Sequence, residues 1–200
     1  MSSKENNIGI VILAAGNSSR LGRPKQLLEY KNSTLLKNTI KEASLVQNSN
    51  IIIVVGANNK LIEKELLEFP KIKTTFNPDW QSGMSSSIVK GLSELLVLYP
   101  DSQSCIFAVC DQPYVTAAVF ENLINEAVKT RKGIAASAYA ETLGTPVLFD
   151  KKYFNALLEL KGQEGAKKVI NTFLNDTVAV PFEKGNIDID TEEDYNELIS

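Results

Sequence analysis

Short apolar runs rich in β-branched residues recur along this chain, and segments of helical length separate them. The runs Ile10–Leu13, Asn50–Val55 and Cys105–Val109 are each followed by small or turn-forming residues. Runs that are apolar throughout are typical of strands covered on both faces. Because they alternate with amphipathic segments through the first two-thirds of the chain, the sequence predicts an α/β fold with a mostly parallel sheet and helices on both faces.

The other elements follow from the same patterns. Helical periodicity predicts helices over residues 33–47, 60–68, 85–99, 116–129, 151–160, 165–174 and from 191 onward. Short apolar segments predict further strands over residues 72–76, 134–139, 145–149 and 177–181 and within 186–190. Pro146 lacks a backbone donor, which indicates an edge strand or the start of a strand. With 200 residues and neither a repeat nor a linker, we expect one domain over residues 1–200.

The charge balance and hydropathy exclude several classes of function. The net charge is -3, from 21 Lys and Arg against 24 Asp and Glu, so the basic excess of a nucleic-acid binder is missing. The chain has no apolar run of about 18 residues, and its polar start, MSSKENN, lacks the apolar core of a secretion signal. We therefore expect a cytoplasmic protein with neither a nucleic-acid nor a membrane partner.

Histidine is absent, which removes imidazole catalysis and imidazole metal sites. The two cysteines, Cys105 and Cys110, lie five residues apart on one predicted strand. They point to opposite faces there and cannot pair with each other. Any chemistry must therefore use carboxylates, Lys, Arg, hydroxyls, backbone groups or a bound cation.

The stretch Gly9–Leu28 joins the first predicted strand to a polar turn and two cations, Arg20 and Lys25. The residues at the strand end are Leu13, Ala14, Ala15 and Gly16. Small residues there let a ligand approach the backbone closely, and free N–H groups in such a turn bind phosphate oxygens. The two cations would neutralise a polyphosphate. The alternative interpretation is a surface turn with two solvated cations.

The pattern L-A-A-G-x-S-x-R-x-G-x-P-K-Q-L-L in this stretch resembles the signature loop of the MobA-like nucleotidyltransferases, most closely the branch that makes molybdopterin cytosine dinucleotide. The resemblance runs from about Ile8 to about Tyr195. It implies a three-layer α/β/α sandwich of the GT-A-like nucleotidyltransferase fold. It also implies transfer of CMP from CTP to the terminal phosphate of the molybdenum cofactor, with Lys25, Arg20 and Asp111 as catalytic residues.

Asp111 directly follows a predicted buried strand, at the end where open parallel sheets bind ligands. In a chain without histidine, a carboxylate there favours Mg²⁺, with Mn²⁺ as the alternative. The stretch resembles the A-D-Q-P motif of the family, with Cys110 in place of the usual small residue. The competing interpretation is a turn residue that caps the helix starting near Thr116.

Asp188 and Asp190 lie two residues apart and would share one face of a strand. Two such carboxylates repel unless a cation or solvent separates them, so both are candidate metal ligands with Asp111. The stretch resembles the D-I-D-T-P-E-D segment of the family, which does not settle which of the two binds metal. Asp190 is equally a candidate N-cap for the last helix.

Residues 77–87, NPDWQSGMSSS, combine turn formers with a helix start. They resemble the W-x-x-G-M-x-x-S segment that lies over the base and sugar of the nucleotide in the family, which implies nucleotide contacts from Ser82, Gly83 and Ser86. The alternative is a helix cap made by Ser85 or Ser86.

Two further family motifs are altered in this chain. Thr145 stands where G-x-P-V-L-F usually has histidine, and Gln163 stands where G-D-x-G-A has aspartate near the acceptor. The resemblance therefore carries over neither an imidazole nor a carboxylate role at these positions.

Base and acceptor choice remain open at this stage. The A-A-G and P-K-Q-L-L motifs accompany cytidylyl transfer in the family, and Ala15 would fill space that a glycine leaves for a purine. The alternatives are a guanylyltransferase and a cytidylyl- or uridylyltransferase acting on a sugar or polyol phosphate. From another class, a non-catalytic nucleotide-binding maturation partner of a molybdoenzyme is an alternative. The expected partners are CTP and the molybdenum cofactor, with a molybdoenzyme or its chaperone as a further candidate.

Overall fold

The computed structural model describes residues 7–200, and within that range the chain forms nine strands and seven α-helices. The strands are β1 (Ile8–Ala14), β2 (Glu29–Tyr30), β3 (Ser33–Thr34), β4 (Ser49–Val55), β5 (Lys73–Phe76), β6 (Ser104–Val109), β7 (Ile134–Tyr139), β8 (Thr142–Asp150) and β9 (Thr177–Pro181). The helices are α1 (Leu35–Ser44), α2 (Asn59–Glu65), α3 (Met84–Leu98), α4 (Ala117–Thr130), α5 (Phe154–Leu158), α6 (Ala166–Thr172) and α7 (Glu192–Ile199). None of the helices in residues 7–200 is long and apolar enough to cross a membrane. The polar segment 1–6, which contributed to the cytoplasmic expectation, lies outside the described residues.

The main sheet has seven strands in the order β5-β4-β1-β6-β8-β7-β9. Strand β1 lies between β4 and β6 and runs parallel to both. Strand β8 alone in this sheet runs against its neighbours, β6 and β7. The chain leaves β1 toward β4 and later returns on the other side of β1 to form β6. Such a reversal of strand order opens a ligand crevice at the carboxyl ends of the strands. The predicted mostly parallel sheet is confirmed.

Two apolar layers cover the sheet, one on each face. One layer packs α1, α2 and α4 onto Ile10, Ile12 and the other side chains of that face. The other packs α3, α5 and α6 onto the opposite face, where Val11 and Phe107 are fully buried. Since alternate residues of a strand point to opposite faces, the apolar runs supply both layers. The three-layer α/β/α sandwich is thereby confirmed.

A small third cluster connects the C-terminal helix to the loop after β1. Its buried members are Leu21, Leu28, Leu35 and Ile189, and Leu198 of α7 packs against them. Leu21 and Leu28 flank the segment that carries Lys25, and Ile189 lies between Asp188 and Asp190. Burial of each of these apolar side chains contributes about 1.5–3 kcal/mol of stability. The cluster therefore holds Lys25, Asp188 and Asp190, which are distant in the chain, at one end of the sheet.

Two strand predictions are wrong in an informative way. Pro146 lies in the interior of β8, between β6 and β7, and not at an edge. The register of β7 against β8 shifts between Ala136 and Ser137, so Pro146 faces an irregularity where no ladder donor is needed. Residues 186–190 form no strand, and the backbone N–H of Ile189 donates to the Asp111 carbonyl at 3.0 Å.

The observed N-caps of α7 and α3 also differ from the caps that two of the alternative interpretations proposed. Thr191, not Asp190, is the N-cap of α7, and it forms a reciprocal capping box with Asp194. Gly83 occupies the N-cap of α3 without a side-chain cap, so neither Ser85 nor Ser86 caps that helix. Thr34 is the N-cap of α1, and its hydroxyl accepts a hydrogen bond from the backbone N–H of Lys37.

Candidate active site

A cleft of about 290 Å³ opens where β1 and β6 end side by side. Its walls include Leu13, Ala15, Lys25, Trp80, Asp111 and Gln163. Leu13 and Ala15 flank Ala14 at the end of β1, and the side chain of Ala14 is buried in the layer of α1 and α4. Side chains from four separate segments of the chain therefore meet at the strand ends where the sequence placed its candidates.

The charged centre of the cleft is Lys25, which lies between two carboxylates. The ammonium of Lys25 donates to Oδ2 of Asp111 and, at 2.8 Å, to Oδ1 of Asp190. Arg20 donates to the other oxygen of Asp190 at 2.7 Å. The side chains of Lys25 and Asp111 are each only 17% exposed, whereas Arg20 is 70% exposed. The site thus has a largely buried ammonium, that of Lys25, and an exposed guanidinium, that of Arg20, at its rim.

Electrostatics within this cluster favour the charged forms. Burial opposes charge on Lys25, but the carboxylates of Asp111 and Asp190 raise the pKa of its ammonium well above the usual range. Partial burial likewise opposes charge on Asp190, and the hydrogen bonds and charges of Lys25 and Arg20 lower the pKa of that carboxyl. Lys25 is therefore a fixed positive charge and has no role as a proton acceptor.

Asp188 lies beside this cluster, at the solvent-exposed rim. Partial desolvation and the charges of Asp111 and Asp190 raise the pKa of Asp188 to about 6. Within residues 7–200, no three Asp, Glu or Cys side chains are arranged to hold a metal ion by themselves. Asp111 nevertheless has one carboxylate oxygen, Oδ1, that is buried and lacks a hydrogen-bond partner. That oxygen and the free lone pairs of Asp190 are the oxygen donors that the site offers.

The loop after β1 presents backbone donors. No other described residue accepts a hydrogen bond from the N–H groups of Gly16, Asn17, Ser18, Ser19 and Arg20. Four of these five residues are exposed, Ser18 being the exception. The Oγ of Ser18 accepts from the backbone N–H of Lys25 at 3.0 Å and so connects the two ends of the loop. Successive free N–H groups beside two cations form an anion-binding concavity.

The opposite wall is set by close packing around Ala15. A Cβ atom at Gly56 would lie 2.6 Å from the carbonyl oxygen of Ala15 and 2.9 Å from Cβ of Trp80. The backbone N–H of Ala57 donates to that same carbonyl at 3.1 Å. The methyl group of Ala15 is therefore wedged at the floor of the cleft, with only 4% of the residue exposed.

A family model described as the MobA-like NTP transferase domain matches residues 10–178. The chain belongs to this family. The expected enzyme class, a nucleotidyltransferase, is confirmed with it.

Three proteins similar to this MobA-like transferase bear on the site. Nicotine blue oxidoreductase of Paenarthrobacter nicotinovorans is 29% identical, with 94% of this chain and 95% of the relative covered. Molybdenum cofactor cytidylyltransferase of Escherichia coli (strain K12) is 25% identical, with 94% and 93% covered. The crystal structure of Rv0371C from Mycobacterium tuberculosis H37Rv in complex with manganese is 25% identical, with 96% and 97% covered and a TM-score of 0.79.

In this MobA-like transferase the segment 77–87 lies beside the cleft, but only one of the three residues that the motif suggested lines it. Gly83, with φ at +109°, reaches the wall. Ser82 and Ser86 do not line it. The hydroxyl of Ser86 is used inside the turn, where it lies 2.8 Å from the Gly83 carbonyl and accepts from Asn77 at 2.9 Å. Ser87 lines the cleft in their place.

Gln163 reaches the cleft because its segment packs directly on the turn at Gly83. A Cβ atom at Gly83 would lie 2.3 Å from the carbonyl oxygen of Gly162, and the hydroxyl of Ser85 donates to that oxygen at 2.6 Å. Only glycine fits at position 83, for this contact and for its backbone angle. Ser85 and Gly162 are 77 residues apart in the chain, so this contact between their segments could not be read from the sequence.

Thr145 is not among the residues that line the cleft, and it belongs to a polar network with the buried Gln112. Its hydroxyl donates to Oε1 of Gln112 at 3.3 Å, and Nε2 of Gln112 donates to the Gly185 carbonyl at 2.6 Å. Gln112 is 2% exposed. The network fastens the segment that carries Asp188 and Asp190 to the turn that carries Asp111.

Proposed function

We propose that this MobA-like transferase transfers CMP from CTP to the terminal phosphate of the molybdenum cofactor and releases pyrophosphate. The observation that carries the proposal is the half-buried Lys25 ammonium, held by Asp111 and Asp190 next to the unpaired N–H groups of residues 16–20. The Escherichia coli relative named molybdenum cofactor cytidylyltransferase, similar over nearly the whole of both chains, supports the acceptor and the base.

The arrangement suits phosphoryl chemistry, in which positioning and charge stabilisation do most of the work. An oxygen of the acceptor phosphate attacks the α-phosphorus of CTP, the bond from that phosphorus to the bridging oxygen breaks, and pyrophosphate leaves with the electron pair. Lys25 and Arg20 bind the triphosphate and stabilise the charge that develops on the leaving group. The acceptor phosphate is already ionised near neutral pH, so the absence of histidine from the chain is no obstacle.

A divalent cation fits the same residues. Mg²⁺ binds proteins through one or two carboxylates and completes its shell with water and substrate phosphates. The unpaired oxygen of Asp111 and the carboxylate of Asp190 match that requirement, with Asp188 nearby. When bound, the ion supplies charge neutralisation at bridging phosphate oxygens. We propose Mg²⁺, with Mn²⁺ as the alternative; the manganese complex of the similar Rv0371C structure supports a divalent cation.

The proposed choice of CTP rests on the floor of the cleft. Ala15 and Trp80 both pack closely on Gly56, and the methyl group of Ala15 takes up space next to Leu13 where a base would enter. Backbone groups of Leu13 to Gly16 read the base in this proposal. The proposed compartment is the cytoplasm, and the two buried, unpaired cysteines are of the kind found in reducing compartments.

The experiment measures pyrophosphate release with each of the four NTPs and Mg²⁺, with and without molybdenum cofactor. The proposal expects release with CTP only when the cofactor is present. Release with GTP would instead indicate a guanylyltransferase. Release that requires a sugar or polyol phosphate would replace the acceptor.

Two variants and one control sharpen this assay. Lys25→Ala and Asp111→Ala are expected to lower the rate by about 100-fold or more, as loss of a charge-stabilising group does. Lys37→Ala is the control, because Lys37 also pairs with two carboxylates, Glu65 and Glu68, but does so away from the cleft. Nucleotide binding without release, unaffected by Lys25→Ala, would indicate a non-catalytic binding partner. Because one relative is named an oxidoreductase, oxidation of an added electron donor is followed in parallel samples, and its appearance without pyrophosphate release would overturn the proposal.

A further inference from the structure

Gln26 follows Lys25 in a short 3-10 turn and is 1% exposed. Its side-chain nitrogen, Nε2, donates to two backbone carbonyls, those of Ala14 and Gly16, both at 2.9 Å. Both hydrogens of one amide are thus used on the loop that follows β1. In the sequence Gln26 belongs to the P-K-Q-L-L motif, which by itself assigns no separate role to this side chain.

The other end of the same amide has no partner. The side-chain oxygen of Gln26 is buried and accepts no hydrogen bond from any described residue. A buried acceptor without a donor costs free energy, and native proteins rarely leave one. Within the described residues, the Gln26 amide therefore acts on the loop through its two donors alone.

The two carbonyls that Gln26 holds determine where the neighbouring N–H groups point. In a planar trans peptide the C=O and the following N–H point in opposite directions. Fixing the Gly16 carbonyl toward buried Gln26 therefore turns the N–H of Asn17 to the solvent-exposed side of the loop. That N–H belongs to the set at residues 16–20 that has no partner among the described residues.

We infer that Gln26 is a positioning residue that sets the phosphate-binding conformation of the loop at residues 14–20. The inference rests on the proposed function, because it explains how the proposed triphosphate site is ordered before a polyphosphate binds. Gln26 also lines the cleft, but both donors of its side chain are used on backbone carbonyls of the loop. It pre-orients backbone donors, so that the loop does not have to order itself when the anion arrives.

The test uses inorganic pyrophosphate with Mg²⁺ as the probe and the full-length protein, with dissociation constants measured by ³¹P NMR titration. Gln26→Met keeps the shape of the side chain but removes both donors, and we expect it to weaken pyrophosphate binding by about 10-fold or more, as the loss of two hydrogen bonds predicts. Gln26→Glu is the second variant, because its carboxylate repels both carbonyls and the same loss is expected. Thr39→Val is the matched control, since Thr39 is also buried and donates to a backbone carbonyl, that of Leu35 at 3.1 Å. Melting curves confirm that each variant is folded.

A double-mutant comparison separates the effect of the loop on pyrophosphate binding from the effect of Lys25. The inference expects Gln26→Met to weaken binding further in Lys25→Ala, because the backbone donors remain in place there; since the two residues are adjacent and share the ligand, the two effects need not add. No further loss in the Lys25→Ala background would overturn it, since Gln26 would then act only by placing Lys25. Wild-type affinity in folded Gln26→Met would overturn it as well. If the wild-type protein bound neither pyrophosphate nor any NTP, the proposed function itself would fail, and the inference with it.

Discussion

Replacing Lys25 by methionine is expected to destabilise the protein in the absence of ligands. The change removes two charge-assisted hydrogen bonds, leaves Asp111 without a counter-charge and leaves Asp190 with only the exposed Arg20 as a cationic partner. Each such bond contributes about 1.5–3 kcal/mol, and the relieved desolvation of the ammonium offsets part of the loss. Because the three side chains are between 17% and 33% exposed, we expect a net loss of about 3 kcal/mol.

Thermal unfolding in metal-free buffer measures this loss. For a protein of 200 residues, about 3 kcal/mol corresponds to a fall in Tm of roughly 6–12 °C. Adding Mg²⁺ or Mn²⁺ should raise the Tm of Lys25→Met more than that of the wild-type protein, because a divalent cation can take the place of the ammonium between the two carboxylates.

Lys37→Met is the matched control for this measurement. Lys37 also bonds two carboxylates, Glu65 at 3.2 Å and Glu68 at 2.9 Å, but the side chain of Glu68 is 64% exposed. Solvent screens such a pair, so the control should lose much less stability and show no selective response to the cation. Equal stability of Lys25→Met and the wild-type protein, or an equal cation response of the two lysine variants, would refute the reasoning.

Three further predictions concern packing, base choice and pH. Gly56→Ala should cost about 1–3 kcal/mol in urea unfolding, because its new methyl group would lie 2.6 Å from the Ala15 carbonyl; an unchanged midpoint would contradict the packing. Ala15→Gly should reduce the preference for CTP over GTP in pyrophosphate release, and an unchanged ratio would end the steric explanation. Asp176→Asn should lose about 1 kcal/mol at pH 7, because the hydrogen bond from Lys152 at 2.7 Å and that from Tyr153 at 2.5 Å stabilise the Asp176 carboxylate. Although its limited burial opposes charge, these bonds lower the pKa of Asp176, so the stabilisation is present at neutral pH and disappears as pH falls through the folded-state value. The two unfolding curves should therefore converge in acid, and a difference that persists there would contradict this assignment.

The central strands of the fold could be predicted because burial on both faces leaves a continuous apolar run. β7 and β9 have the predicted bounds, and β1, β4 and β6 differ from prediction only at their ends. β8 was misjudged, because the rule for proline in sheets assumes a regular ladder and the irregularity opposite Pro146 depends on β7, its neighbour. Long-range pairing of this kind leaves no local signal.

The candidate site was predictable as a set of residues but not as an arrangement. Local motifs pointed to Lys25, Asp111 and Asp190, and these three do meet. That the ammonium lies between the two carboxylates could not be read from the sequence, since 86 residues separate Lys25 from Asp111 and 165 separate it from Asp190. Gln26 escaped notice for a related reason: its role depends on two carbonyls in a loop whose conformation no pattern specifies.

The identity of the reaction product tests the central claim most directly. The protein would be incubated with CTP, Mg²⁺ and molybdenum cofactor, and the pterin product analysed by mass spectrometry. The account predicts a product whose mass equals the cofactor plus one CMP residue, formed in equal amount with pyrophosphate and absent when Lys25→Ala replaces the wild-type protein. An unmodified cofactor in the presence of CTP, with a folded protein that binds the nucleotide, would contradict it.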